Sequence, residues 1–195
     1  MKLKKLVAIT LSAVMCMAAL TGCGGKSDSA KKTAKVIEVD LTDEQYAFGV
    51  DKDQPDLLKE VNQFVKDMKS DGTFDEICNR YFGDGTPVPV KSAAYDESKD
   101  QLVVATNAAF EPFEYMDGEN YVGIDMEIAK ALADKLGKEL VIQNMDFDAV
   151  CLSVGQHKCD VAMAGLTIKP DREEYVAFSD PYYSASQKLI TLSTD

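Results

Sequence analysis

Between Gln101 and Ala164 the sequence alternates twice between strand-like and helix-like periodicity, and few architectures accept that pattern. QLVVAT (101–106), ELVIQ (139–143) and DVAMA (160–164) are short, nearly continuous apolar runs, the signature of strands covered on both faces. Between the first two, Asp125 to Leu136 places Met126, Ala129, Leu132, Ala133 and Leu136 at helical spacing and stops at Gly137. Asp148 to Gln156 reads as a second, shorter helix. Strand, helix, strand, helix, strand requires a parallel sheet with right-handed crossovers. The expected fold class is therefore α/β, a mostly parallel sheet flanked by helices.

Upstream, residues 36–83 form a separate block. A short strand is expected at about Tyr46–Val50, and Pro55 sits where a first helical residue belongs. Leu57, Leu58, Val61, Phe64, Val65 and Met68 then share one helix face. Gly72 ends that helix. Thr73 and Glu76 have the spacing of a capping box for another, with Phe74, Ile77, Cys78, Tyr81 and Phe82 on its apolar side. Two helices and one strand cannot bury such faces alone, so this block must pack on something else. Residues 84–100 read as a polar, proline-punctuated linker, and residues 101–195 as the second block.

The N-terminus has another character. Lys2, Lys4 and Lys5 precede an apolar run from Leu6 to Leu20, the layout of a secretory signal and too short for a comfortable membrane span. LTGC (20–23) resembles the lipobox of bacterial lipoproteins. Residues 1–22 are thus read as a lipoprotein signal peptide, Cys23 as the lipidated residue, and residues 23–35 as a flexible tether. The expected location is extracytoplasmic, on a bacterial cell membrane. Losing Lys2, Lys4 and Lys5 leaves 18 basic against 33 acidic residues, a balance that excludes nucleic acid as a partner. Cys78, Cys151 and Cys159 read as free buried thiols, with a Cys151–Cys159 bridge as the alternative.

Open parallel sheets bind ligands outside the carboxyl ends of their strands. The residues there are Asn107 and Phe110 after the first strand, Phe147 after the second, and Ala164, Gly165, Thr167 and Arg172 after the third. Two aromatics can flank an aliphatic group, and Gly165 permits close backbone approach. Pro170 places Arg172 in a first helical turn that favours an anion, and its guanidinium can grip a carboxylate with two hydrogen bonds. Catalysis finds little support. The one histidine, His157, lies in a polar GQHK turn and is expected to be solvated. No nucleophile–base arrangement, phosphate-binding glycine loop or metal-ligand spacing appears, so neither metal nor cofactor is expected.

VVATNAAFEPFEY, VGIDMEIAKALADKLG, MDFDAV, DVAMAGLTIKPDRE and FSDPYY together resemble the amino-acid-binding proteins of ABC importers, the extracellular solute-binding family 3 type. The segment DKDQPDLLKEVNQFVKDMKSDGTFDEICNRYFG is similar to the end of such a protein, although here it comes first. The resemblance implies one lobe of a type II periplasmic-binding-protein fold, circularly permuted. On that reading 36–83 stands for the C-terminal part of lobe one, 101–195 stands for its N-terminal part, and the second lobe is absent.

It also implies that Arg172 binds the ligand carboxylate, helped by Thr167 and the backbone at Ala164 and Gly165, while Phe110 and Phe147 flank the side chain. Asn107 stands where many members carry an aspartate, which argues against arginine or lysine. The ligand implied is a polar amino acid, with the AGLT and MDF motifs closest to glutamine-type or general polar amino-acid binders. The partners implied are an ABC permease in the membrane and either a chain supplying the second lobe or a domain-swapped second copy. The alternatives are an interaction module that docks on a permease or receptor without binding solute, and a dehydratase-like enzyme, since some dehydratases resemble this fold.

Overall fold

The computed structural model describes residues 32–194. The signal segment, Cys23 and the first part of the tether lie outside those residues. In chain order the strands of the first block are β1 (Lys32–Ile37), β2 (Glu44–Tyr46) and β3 (Gly49–Asp51), followed by helices α1 (Pro55–Ser70) and α2 (Thr73–Phe82). The second block begins with β4 (Gln101–Thr106), β5 (Ala109–Phe110), β6 (Glu114–Asp117), β7 (Asn120–Val122) and α3 (Ile124–Leu136). Then come β8 (Glu139–Asn144), α4 (Phe147–Gly155), β9 (Val161–Ala162) and α5 (Pro170–Glu173). β10 (Val176–Phe178), β11 (Tyr183–Ala185) and β12 (Leu189–Thr194) complete the chain.

Two compact units result. In one, β1 and β12 pair antiparallel from Lys32 opposite Thr194 to Ile37 opposite Leu189. The other runs from Asp43 to Ser186 around a five-stranded sheet of order β10-β3-β9-β4-β8. β4 pairs parallel with both β8 and β9, as the alternation predicts, while β3 runs antiparallel to β9 and β10. A strand from the first block is therefore inserted inside the sheet of the second. The predicted strand at 46–50 is two short strands, because β2 leaves the main sheet to pair with β11.

Alternate residues of the strands serve two apolar layers, following the period-two geometry of the pleat. Leu102, Val104, Leu140, Ile142 and Val161 face a cluster completed by α3 and by Val61, Phe64, Val65, Met68 and Ile77 of α1 and α2. Val103, Ala105, Val141 and Ala162 face the other side with Val150, Cys151 and Val154 of α4. The helices of residues 36–83 thus cover the sheet of residues 101–195. Each fully buried Val, Phe or Met contributes about 1.5–3 kcal/mol.

Several local expectations differ. β1 begins inside the stretch read as tether. The capping box does not form: Asp71 Oδ1 accepts the Thr73 amide at 2.9 Å, and Glu76 pairs with Arg80 instead. The linker is pinned rather than loose. Val90 exchanges backbone hydrogen bonds with Tyr121, Ala93 N–H donates to Leu140, and Ser92 Oγ accepts from Ile142 N–H. Cys78, Cys151 and Cys159 are free thiols.

Candidate ligand-binding site

The three loops read from the sequence meet along the carboxyl edge of β4, β8 and β9. The first two are stitched together by amides: Asn107 Nδ2 donates to Met145 O at 2.7 Å, and Ala108 N–H to Asn144 Oδ1 at 2.9 Å. Asn107 therefore braces the edge with its amide nitrogen.

Phe147 opens α4 and Arg172 sits in α5. The guanidinium carbon lies 5.0 Å from the Phe147 ring centroid, a cation–π geometry, while Nη1 donates to Thr167 O at 2.8 Å. Arg172 is thus held in place by Thr167 rather than by Asp171 or Glu174. Thr167 itself donates from Oγ1 to Glu44 Oε2 at 3.2 Å. The expected anion site at the start of α5 does not hold, because the helix has four residues and the Arg172 amide already donates to Lys169 O.

Phe110 forms the other side. Its ring stacks on Phe113 at 5.6 Å and is 44% exposed; the Phe147 ring is 40% exposed, so both aromatics keep an open face. Gly165 adopts φ +52°, and a Cβ there would stand 3.0 Å from the Phe110 ring, so glycine is required for the turn and for the close approach. Its amide does not face the ligand edge, as the sequence suggested, but donates to Asp125 Oδ2 at 2.9 Å. Ala164 is buried beside it. The edge thus has two sides, Phe147–Arg172–Thr167 and Phe110–Gly165, joined through the turn at 164–167.

Behind the edge lies a cluster that the sequence reading missed. Asp125 is fully buried and its Oδ1 accepts from Tyr182 Oη at 2.5 Å. Glu114 is equally buried, and neither carboxyl oxygen has a hydrogen-bond partner among the described residues. Burial pushes both acids up. The negative charge of Asp125 raises Glu114 further, to about 11, whereas the bonds from Gly165 and Tyr182 restrain Asp125 to about 6. At neutral pH the pair carries one charge, on Asp125. A signal was present: Asp125 shares its helix stripe with Ala129 and Leu132, a place for an apolar residue.

His157 lies elsewhere. It is exposed, yet Nδ1 stands 2.8 Å from Asp51 Oδ2 and Nε2 3.6 Å from Asp53, and the bond to Asp51 raises its pKa. It belongs to an ion-paired turn with Asp51 and Asp53, just past the C-terminal end of α4.

The α/β unit thus presents an open edge at its strand ends with the Arg172 guanidinium fixed on it, a cation that an anionic group could pair with. The model for bacterial extracellular solute-binding proteins, family 3, matches residues 8–84 and 102–195, and the chain belongs to that family. It is 40% identical over 96 residues to the arginine-binding extracellular protein ArtP of Bacillus subtilis, covering 49% of this chain and 38% of that protein. To ABC transporter arginine-binding protein 1 of Escherichia coli it is 33% identical over 92 residues, 47% of this chain and 38% of that one. A cyclohexadienyl dehydratase of Pseudomonas aeruginosa is 33% identical over 95 residues, 48% and 35% of the two chains. Domain 1 of TmArgBP, solved in an arginine-bound form, aligns at 42% identity over 50% of this chain and 84% of that one, with a TM-score of 0.43. The chain thus spans 38% of the length of the curated arginine-binding relatives it matches. Among the described residues no helix is long and apolar enough to cross a membrane.

Proposed function

We propose that the chain is a lipid-anchored, extracytoplasmic solute-binding lobe that holds a polar amino acid for an ABC-type importer. The observation that carries this reading is the Arg172 guanidinium, laid on Phe147 and anchored to Thr167 at the open edge. A carboxylate reaching that edge meets a fixed charge-assisted donor. The exposed faces of Phe110 and Phe147 flank its side chain. Relatives named for arginine binding favour a cationic ligand, whereas Asn107 in place of an acid favours glutamine; the two are separated by experiment.

The lobe is read as circularly permuted, with 36–83 standing for the closing part of the family's first lobe. The insertion of β3 between β9 and β10, and the two separate matched stretches, support that arrangement. One open face holds a small ligand weakly, with Kd near millimolar, about −4 kcal/mol. A partner chain supplying the second lobe, or a second copy of this one, would raise the affinity. Such a partner has a candidate attachment at the β1–β12 ribbon, where Leu189, Ile190 and Leu192 are exposed. Lipid at Cys23 would place the lobe beside the permease.

Calorimetry of the full-length chain with L-arginine, L-histidine and L-glutamine tests the proposal, with Arg172→Ala as control. Binding of one of the three, weakened at least about tenfold in Arg172→Ala, is the expected result. No heat with any of the three, or equal binding by the variant, would sink it and leave docking without solute. Turnover of a cyclohexadienyl substrate would move the chain to the enzymes of the family.

A further inference from the structure

A buried carboxylate needs a reason, since acids are rarely enclosed without partners that use their charge. Asp125 lies in the first turn of α3 and touches both sides of the edge. Its backbone N–H donates to Phe113 O at 2.9 Å, and the neighbouring Ile124 N–H to Pro112 O at 3.0 Å, within the turn that carries Phe110. Its carboxylate accepts the Gly165 amide at 2.9 Å, within the turn that carries Thr167. Its other oxygen takes the Tyr182 hydroxyl, and Tyr182 is itself stacked on Phe48 at 4.4 Å.

We propose that Asp125 is the positioning residue of the ligand edge, fixing the Phe110 turn with its backbone amide and the Gly165 turn with its carboxylate so that the two sides keep one spacing. The inference rests on the solute-binding reading above. Asp125 never meets the ligand, and its effect on affinity passes through Gly165.

The chemistry of the two bonds is specific. Two donors converge on Asp125, one on each oxygen. Asparagine keeps one acceptor oxygen for the Gly165 amide, which can only donate, while its NH2 group can donate to the Tyr182 hydroxyl, which accepts as well as donates. In Asp125→Asn the Gly165 bond therefore survives but loses its charge assistance and weakens. Glu114, whose carboxyl faces the same enclosure from β6, leaves the role of acceptor to Asp125 because the pair holds one charge.

The test combines affinity with a direct view of the Gly165 amide in the full-length chain labelled with 15N-glycine. In Asp125→Asn the Gly165 proton resonance should move upfield and its exchange with solvent should quicken. Binding of L-arginine or L-glutamine should weaken about fivefold, the difference between a charge-assisted and a neutral hydrogen bond. Tyr182→Phe removes the other bond only. It should lower the melting temperature while leaving the Gly165 resonance in place and the affinity within about twofold. An unchanged Gly165 resonance in Asp125→Asn overturns the proposal. So does an affinity loss that follows melting temperature equally in both variants.

If the wild-type chain binds neither amino acid, the solute-binding reading fails, and Gly165 exchange alone decides whether Asp125 sets the turn. Should Asp125→Asn not fold, the wild-type Gly165 resonance is followed on acidification. Asp125 faces Glu114 from β6, Tyr182 from the segment before β11, Tyr46 from β2 and Cys78 from α2, and the two tyrosines and the thiol stay neutral across that range. A Gly165 resonance that does not move as the carboxylate is protonated also overturns the proposal.

Discussion

At the scale of single residues, the least expected group is Glu114. A carboxyl enclosed without a hydrogen bond survives only by staying protonated. Its pKa is raised in the folded chain, so the stability linked to it is fully present below the unfolded value near 4.5 and is lost as pH climbs toward the folded value of about 11. Asp125 adds a smaller loss between about 4 and about 6. Glu114→Gln keeps the shape and removes the titration. We expect its urea midpoint to match the wild type near pH 4.5 and to exceed it at pH 8; parallel curves across that range would contradict a protonated Glu114. The sequence places Phe110, Phe147, Thr167 and Arg172 at the edge because strand ends are legible from periodicity. Glu114 is hidden because an acid in a hairpin reads as solvated until tertiary packing closes over it, whereas Asp125 is betrayed only by its place on the apolar stripe of α3.

At the scale of elements, α1, α2, α3, α4, β4 and β8 follow from apolar spacing and from Pro55 and Gly137, with ends shifted by a residue or so. β3 follows less well, since a three-residue strand carries little periodicity of its own and is defined by its neighbours β9 and β10. The anchoring of the linker is not displayed by sequence pattern, because most of its anchors involve backbone groups of residues distant in the chain. Glu127 shows how the elements are joined. Buried on α3, it pairs with Arg80, accepts from Tyr81 Oη at 2.7 Å and takes the Val88 amide at 3.0 Å, tying α2 and the linker to α3. Removing it takes the acceptor from Tyr81 Oη and the Val88 amide and leaves Arg80 with Glu76 alone. Glu127→Ala should cost about 3 kcal/mol, the lower end for a broken buried pair because Arg80 keeps some contact with water. Urea unfolding measures this; a loss below about 1 kcal/mol would show that the tie is dispensable.

At the scale of the whole molecule, residues 43–186 make one folded unit in which β3, α1 and α2 of the first block complete the sheet and core of the second. What the core requires is β3 between β9 and β10 and the apolar faces of α1 and α2 on the sheet. The pinned linker supplies a connection that folds the first block onto its own chain. The central claim is that this single lobe presents a working amino-acid edge. Its most direct test is an amide map of the full-length chain, recorded while the amino acid selected by calorimetry is added. The account predicts shifts confined to the loops after β4, β8 and β9, around Asn107 to Phe110, Met145 to Phe147 and Ala164 to Thr167, absent in Arg172→Ala. Shifts centred instead on the β1–β12 ribbon or on the α2–α3 tie around Glu127, or a map that does not change at saturating ligand, would contradict it.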